Sequence, residues 1–183
     1  MSKRFSKMEK AQLRKAAADE IPSPQFVLSV DPGVKGALCL METGTRKIQV
    51  FDTPVLDGQV DGAQLAAMVD QCRFQGTIAA VVEQVSSMPR QAGAFNFGRS
   101  AGVVHGVLDA LGVPYELLHP NIWKGAMGLR RAVNETREQN KTRARELAVK
   151  LWPDRAADFK RVKDDGRAEA ALLARHYCTK MGW

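Results

Sequence analysis

Two short apolar runs, Phe26–Val30 and Ile78–Val82, restrict the fold of this chain more than any other feature of its sequence. Neither run shows the regular apolar–polar alternation of a strand that has one face in water. A strand without that alternation is buried on both faces of its sheet, and helices provide such cover in α/β folds. The two runs therefore predict two central strands of an α/β fold.

The segments around these strands predict a mixed sheet. The turn signal Asp31-Pro32-Gly33 follows the first run, and the stretches Gly36–Met41 and Ile48–Phe51 predict a hairpin partner and a third strand. Helical and strand patterns alternate in the rest of the chain, which predicts a parallel continuation of the sheet. We predict helices at 61–72, 141–152 and 165–177, a helix that ends at Leu111, a strand at 114–118, and irregular chain at 86–99 and 124–140.

The composition is typical of a single globular domain. The chain has 183 residues, of which 45% are hydrophobic, and this is enough for one core. We expect a basic N-terminal arm without a fold of its own at residues 1–25 and one domain at 26–183, because two prolines separate these segments. The three cysteines, Cys39, Cys72 and Cys178, have neither zinc-site nor disulfide spacing, and we expect them to be small buried residues.

The net charge of +7 is unevenly distributed along the chain. From Met1 to Trp123 there are 12 Lys/Arg and 12 Asp/Glu, whereas from Lys124 onward there are 15 Lys/Arg and 8 Asp/Glu. The whole positive excess therefore lies in the last third of the chain. Such an excess favours a polyanionic partner such as a nucleic acid, although a merely solvated basic surface has the same composition.

Carboxylates stand where functional groups gather in α/β sheets. Asp31 follows the first buried strand, Glu83 follows the second, and Asp165 and Glu169 lie one turn apart on one face of a predicted helix. If the two strands are neighbours, Asp31 and Glu83 meet at the same edge of the sheet. Clustered carboxylates repel each other, and a pair of hard divalent cations with oxygen ligands would neutralise them and drive phosphodiester hydrolysis.

Each of these acidic residues also has an ordinary structural explanation. Asp31 is in a common turn sequence, Glu83 could be a solvated strand end, and Asp164 and Asp165 could be helix N-caps. The hairpin at Asp31–Gly36 is also similar to a phosphate-binding turn of the actin and sugar-kinase ATPases. That fold needs two such domains, and 183 residues do not hold both.

Three segments in order resemble the RuvC-type Holliday-junction resolvases of the RNase H-like superfamily. The first is FVLSVDPGVKGALCLM, Phe26–Met41. The second is VVEQV, Val81–Val85, followed by GRSAGVVHGVLDALGVPYE, Gly98–Glu116. The last is FKRVKDDGRAEAALLARH, Phe159–His176, and it is most similar to the phage and chloroplast branch.

The resemblance implies an RNase H-like α/β fold, with a mixed five-stranded sheet flanked by helices. It also implies a homodimer that makes paired nicks in four-way DNA junctions with two Mg²⁺ or Mn²⁺ ions per site. The family's first-strand aspartate matches Asp31, its fourth-strand glutamate matches Glu83, and its last carboxylate matches Glu169. Asp165 lies one turn earlier, where the family has an acidic residue or a histidine, and Asp164 is an additional candidate ligand.

One position departs from the family pattern. Bacterial members have an aromatic residue three positions after the strand glutamate, which opens the junction, and here that position is Ser86. Phe95 and Phe97 are the nearest aromatic candidates for insertion between bases, and in extended chain they would point the same way. We expect phosphate contacts from basic residues near the carboxylates, namely Lys124, Lys160, Arg161, Lys163 and Arg167.

We therefore hypothesise a divalent-metal-dependent endonuclease that resolves branched DNA, with Asp31, Glu83, Asp165 and Glu169 as its catalytic residues. An RNase H-type enzyme acting on RNA–DNA hybrids and a non-catalytic branched-DNA-binding protein are the alternatives. No small-molecule cofactor or membrane partner is expected, because no apolar run reaches the length of a membrane span. No signal peptide is evident, so we expect the cytoplasm of a bacterial or phage-infected cell, or an organelle stroma.

Overall fold

The computed structural model describes residues 23–84 and 93–183. Most of the predicted N-terminal arm lies outside these residues. A five-stranded sheet is the centre of the fold. Its strands are β1 (Phe26–Val30), β2 (Ala37–Glu42), β3 (Ile48–Asp52), β6 (Ile78–Glu83) and β7 (Tyr115–Leu118), and they lie in the order β3-β2-β1-β6-β7. The short strands β4 (Val55–Leu56) and β5 (Gln59–Val60) form a separate hairpin.

The sheet is mixed, as the sequence predicted. Strands β1, β2 and β3 pair antiparallel, whereas β1, β6 and β7 pair parallel. Within β1, Val27 and Ser29 face one layer of helices while Leu28 and Val30 face the other. Both faces are buried, which explains why the strand lacks an apolar–polar alternation. Ser29 is tolerated in the core because its hydroxyl donates to the Ala170 carbonyl oxygen at 2.6 Å.

Helices cover both faces of the sheet. They are α1 (Gly62–Gln75), α2 (Ala94–Ala110), α3 (Pro120–Ala126), α4 (Arg137–Leu151) and α5 (Asp165–Met181), with 3₁₀ turns at Pro153–Phe159 and Val162–Asp164. Helices α1 and α2 pack on one face, whereas α5, backed by α3 and α4, packs on the other. Two of these helices begin after a capping residue. Asp61 accepts two backbone N–H bonds at the start of α1, and Thr136 forms a capping box with Gln139 at the start of α4.

Two predictions of irregular chain are wrong in part. The segment predicted as a loop up to Arg99 is helical from Ala94, because α2 begins there and packs Val104 and Leu108 into the core. The segment predicted as irregular at 124–140 has helical ends, since α3 extends to Ala126 and α4 begins at Arg137. Tertiary packing overrides local composition in both places, and Trp123 of α3 is fully buried. Within the described chain, no helix is both long and apolar enough to span a bilayer.

Candidate active site at the carboxyl ends of β1 and β6

The hairpin after β1 sets the position of Asp31. The Asp31 N–H donates to the Ala37 carbonyl oxygen at 3.0 Å, and the Gly36 N–H donates to the Gly33 carbonyl oxygen at 2.9 Å. A Cβ atom on Gly36 would lie 2.1 Å from the carbonyl oxygen of Asp31. Only glycine fits at this close approach of the two backbones, so the turn holds Asp31 directly at the carboxyl end of β1.

Glu83 lies beside Asp31 because β1 and β6 are parallel neighbours. Val30 pairs with Val82, so the next residues of the two strands reach the same edge of the sheet. Burial raises the pKa of Asp31 to about 8, and the negative charges of Glu83 and Glu169 add to that rise. Burial also raises the pKa of Glu83 above its usual value, although Lys124 opposes the shift. Nearby positive charge therefore offsets the burial of these two carboxylates only in part.

Helix α5 brings two further carboxylates to this edge. A Cβ atom on Gly166 would lie 2.6 Å from the Lys35 carbonyl oxygen, so glycine allows the start of α5 to pack directly on the β1–β2 hairpin. Asp165 and Glu169, one turn apart on this helix, line the same cleft as Asp31 and Glu83. We call this space of about 380 Å³ the carboxylate cleft. The structure thus brings together the four carboxylates that the sequence singled out.

Two lysines contact the acids of the carboxylate cleft. The Lys124 Nζ lies 2.9 Å from the Glu169 Oε2, and Lys141 forms an ion pair with Asp165. Burial acts to lower the pKa of Lys124, but the charges of Glu169 and Glu83 outweigh it and raise that pKa. The Lys124 ammonium group therefore acts as a cation among carboxylates.

Trp123 is a member of the site that the sequence analysis missed. Its indole Nε1 donates to the Glu83 Oε2 at 2.9 Å, and the Lys124 Nζ lies 5.0 Å from the centroid of its ring. The bond orients Glu83 toward the cleft. No spacing pattern in the sequence relates residues this far apart, and a tryptophan beside a candidate phosphate-binding lysine was the only available signal.

The donor atoms of the carboxylate cleft fit hard divalent cations. All four acids offer carboxylate oxygens, which Mg²⁺ and Mn²⁺ prefer. Burial raises the pKa of two of these carboxyls, with nearby negative charges adding to the rise, and a cation would offset both effects. Within residues 23–84 and 93–183, no three acidic, histidine or cysteine side chains are already close enough to hold one ion. Lysine ammonium groups occupy positions next to two of the four acids.

Asp164 lies outside the carboxylate cleft, although it is adjacent to Asp165 in sequence. Its side chain is 1% exposed and accepts from the Arg161 backbone N–H at 2.7 Å and from the Arg161 guanidinium at 2.8 Å. Burial acts to raise the pKa of Asp164, but the bonds from Arg161 outweigh it and lower that pKa. The Asp164 carboxylate therefore pairs with Arg161 and caps the 3₁₀ turn at Val162–Asp164.

The basic residues predicted to contact phosphate fall into different environments. Arg167 forms a bidentate pair with Asp52, at 2.6 and 2.7 Å, and Arg161 is paired with Asp164. Lys124 lines the carboxylate cleft, whereas Lys163 lines an adjoining groove and Lys160 lines neither space.

The two phenylalanines are not in extended chain, so the expectation that they point the same way is wrong. Both lie in α2, where residues two apart point to different sides. Phe97 lines the carboxylate cleft, and its ring approaches Gly33. Phe95 is 80% exposed. The departure from the family pattern at Ser86 lies outside the described residues.

Comparison with known proteins supports the fold. No protein-family model matches the chain, and no curated protein matches it. Among solved structures, RuvC of Thermus thermophilus is similar at 20% sequence identity over 86% of this chain and 96% of that one, with a TM-score of 0.54. T. thermophilus RuvC in complex with a Holliday junction substrate is similar at 22% identity with the same coverage and a TM-score of 0.50. The predicted mixed five-stranded sheet flanked by helices is confirmed, and the fold is RuvC-like and hence RNase H-like.

Proposed function

We propose that this chain is a structure-selective endonuclease that cuts four-way and other branched DNA by divalent-metal-dependent phosphodiester hydrolysis. The observation that carries the proposal is the meeting of four carboxylates from three elements in one cleft, two of them with raised pKa values. The RuvC-like fold and the complex of T. thermophilus RuvC with a Holliday junction substrate favour branched DNA as the substrate. The similarity of its last motif favours the phage and chloroplast branch of resolvases.

The side chains of the carboxylate cleft have separate tasks in this proposal. Asp31, Glu83, Asp165 and Glu169 would hold two Mg²⁺ or Mn²⁺ ions, which when bound supply activation of water and compensation of charge on the leaving oxygen. Trp123 holds Glu83 in orientation through its 2.9 Å hydrogen bond.

Lys124 would exchange its carboxylate partners for a phosphate. Its ammonium group now pairs with Glu169. Cations on the acids would weaken this pair and leave Lys124 to bind a phosphate oxygen of the substrate.

We also propose that the enzyme is a homodimer that uses α2 as its interface, since paired nicks need two sites and two-fold pairs are the commonest oligomers. Gly98, Gly102 and Gly106 recur every four residues along this helix, and a Cβ at each would meet nothing within 4 Å. A glycine in a helix interior costs about 0.5–1 kcal/mol relative to alanine. Close approach of a second helix would offset that cost.

Phe95 and Phe97 remain our proposed sites of base contact. Phe95 is the better placed for stacking because its ring is 80% exposed near the start of α2. A base stacked on such a ring contributes about 1–3 kcal/mol.

A cleavage assay with Mg²⁺ on three substrates tests the function. A four-way junction, an RNA–DNA hybrid and a linear duplex of matched sequence are incubated with the protein and with its Asp31→Asn variant. We expect the junction to be cut in paired nicks by the wild type, whereas the variant binds the junction equally well or more tightly and does not cut it. Preferred cutting of the hybrid would favour an RNase H-type enzyme, and binding without cutting would favour a non-catalytic branched-DNA-binding protein.

A further inference from the structure

A second groove adjoins the carboxylate cleft. It encloses about 870 Å³ and shares Lys35, Gly36, Lys141 and Asp165 with that cleft. A ligand that passes through one space can therefore continue into the other without leaving the protein surface. We call this space the second groove.

The second groove has an excess of positive charge. Lys35, Arg145 and Lys163 line it, and within the described parts of the chain none of the three forms an ion pair with a carboxylate. Three acids also line the second groove. Asp52 is already paired with Arg167, and Asp165 is paired with Lys141. Glu138 is the third acid. Cations without acidic partners around a cavity favour an anionic ligand.

The walls of the second groove are also apolar. Val162 is 81% exposed and Val34 is 41% exposed, and both line the groove. A lone phosphate would gain nothing from these side chains. A nucleotide would use both features, since its phosphates can bind the cations while the face of its base covers the valines.

A polar side chain in the second groove has no partner. Thr53 is 6% exposed, and its hydroxyl makes no hydrogen bond with any other residue that the structure describes. A buried hydroxyl without a partner is unfavourable unless something else satisfies it. The hydroxyl oxygen is covered in this structure, so a base edge in the groove would supply a donor or an acceptor once the Thr53 side chain rotates toward it.

We propose that the second groove holds the nucleotide next to the scissile phosphate on the cleaved strand, unstacked from its neighbour. Lys35, Arg145 and Lys163 bind the flanking phosphates, the base lies against Val34 and Val162, and Thr53 contacts the edge of the base. This inference rests on the proposed nuclease function and adds a determinant of cleavage sequence to it.

Thiol protection tests occupancy of the second groove. All three native cysteines are buried, so the exposed cysteine of a Val162→Cys variant reacts selectively with a maleimide. Phe74→Cys is the matched control, because Phe74 is 85% exposed on α1, on the other face of the sheet. Labelling is measured in EDTA with and without a four-way junction, while a gel shift reports DNA binding.

We expect bound junction to slow labelling of Val162→Cys at least about 5-fold and to leave Phe74→Cys unchanged, because a buried thiol reacts far less than an exposed one. Junction binding without protection at position 162 would overturn the inference and leave the nuclease proposal intact. If the wild-type protein bound no junction at all, both the inference about the second groove and the nuclease proposal would be contradicted.

Cleavage of junctions with randomised branch-point sequence tests the role of Thr53. Thr53→Val removes a hydroxyl that has no partner, so we expect the variant to fold, and Thr53→Ser keeps the hydroxyl. The valine variant should change the nucleotide preference at one position next to the cut by about 2- to 10-fold, because that ratio corresponds to the net free energy of one hydrogen bond. The serine variant should retain the wild-type preference. A folded valine variant with the wild-type sequence profile would overturn the assignment of Thr53.

Discussion

Two sets of acidic residues lie near the start of α5, and they differ in what compensates their charge. Asp31 and Glu83 in the carboxylate cleft have raised pKa values because burial is only partly offset by Lys124. Asp52 and Asp164 have lowered pKa values because Arg167 and Arg161 bind them at hydrogen-bond distance. We call the second set, with its two arginines, the arginine clamp.

The difference separates the site that we propose binds cations from a pair of ion pairs within the fold. Arginine binds a carboxylate through a planar fork and keeps its charge, so a clamped acid has no remaining need for a metal ion. The acids of the carboxylate cleft are buried around lysine ammonium groups, which a divalent cation can displace. Asp164 and Asp165 are adjacent in sequence and fall on opposite sides of this division.

Breaking the arginine clamp should have the largest effect on stability. Asp164→Asn keeps the shape of the side chain but loses charge-assisted bonds from Arg161, and we expect a loss of about 2–3 kcal/mol. In a domain of this size that lowers the Tm by roughly 5–10 °C. Thermal unfolding measures it, with the exposed Asp154→Asn as a control that should change stability by less than about 0.5 kcal/mol.

The pH dependence of that loss has a definite sign. Since the folded-state pKa of Asp164 lies below the ordinary value of 3.8, its stabilisation is fully present at neutral pH. It is lost as the pH falls below about 4 and through the folded-state pKa. A stability difference between wild type and Asp164→Asn that persisted unchanged at pH 2.5, with both still folded, would show that the loss is not electrostatic.

Removing a charge from the carboxylate cleft should stabilise the fold, whereas breaking the arginine clamp should destabilise it. In EDTA, we expect Asp31→Asn to be more stable than the wild type by about 1–2 kcal/mol at pH 8. The folded-state pKa of Asp31 is raised to about 8, so ionisation of the wild type opposes folding above the ordinary value of 3.8. The difference should be near zero at pH 4, grow up to pH 8, and shrink when Mg²⁺ is added.

Denaturant titrations of both proteins across this pH range measure the effect. A variant that is less stable than the wild type at every pH would mean that Asp31 serves the β1–β2 turn and not a charged site.

The third prediction compares two lysines of one segment in DNA binding. Lys163 lines the second groove, whereas Lys160 lines neither space. Lys163→Ala should lower the slope of log K against log salt for junction binding by about 1. Lys160→Ala should lower it by clearly less. Equal changes in the slope for the two variants would mean that the DNA lies over the outer surface around Lys160 and not in the second groove.

Parts of the carboxylate cleft could be predicted because local signals specify them. An acid at the end of a buried, largely apolar strand lies at the sheet edge, and helical spacing places Asp165 and Glu169 on one face. The choice between Asp164 and Asp165 could not be predicted. It depends on how closely α5 packs on the hairpin through Gly166 and Lys35, which no local pattern records.

The errors in the fold have a related physical cause. Asn96 and Gly98 favour a loop at residues 94–99. Yet α2 begins at Ala94, because its later residues Val104 and Leu108 pack in the core. The role of Trp123 was missed because its bond to Glu83 joins residues far apart in sequence. Contacts of that kind arise only after the sheet and α3 have assembled.

The smallest predicted effect tests the cause of the raised pKa of Asp31. Burial is its largest cause, and Phe97 forms part of the wall of the carboxylate cleft. Phe97→Ala should admit water, lower the pKa of Asp31, and reduce the stabilisation gained from Asp31→Asn by about 0.5–1 kcal/mol in a double-mutant cycle. Phe95→Ala is the matched control, because this ring is 80% exposed and lies outside the cleft. Additive effects of Phe97→Ala and Asp31→Asn would show that neighbouring carboxylates, and not exclusion of water by the ring, hold the pKa of Asp31 high.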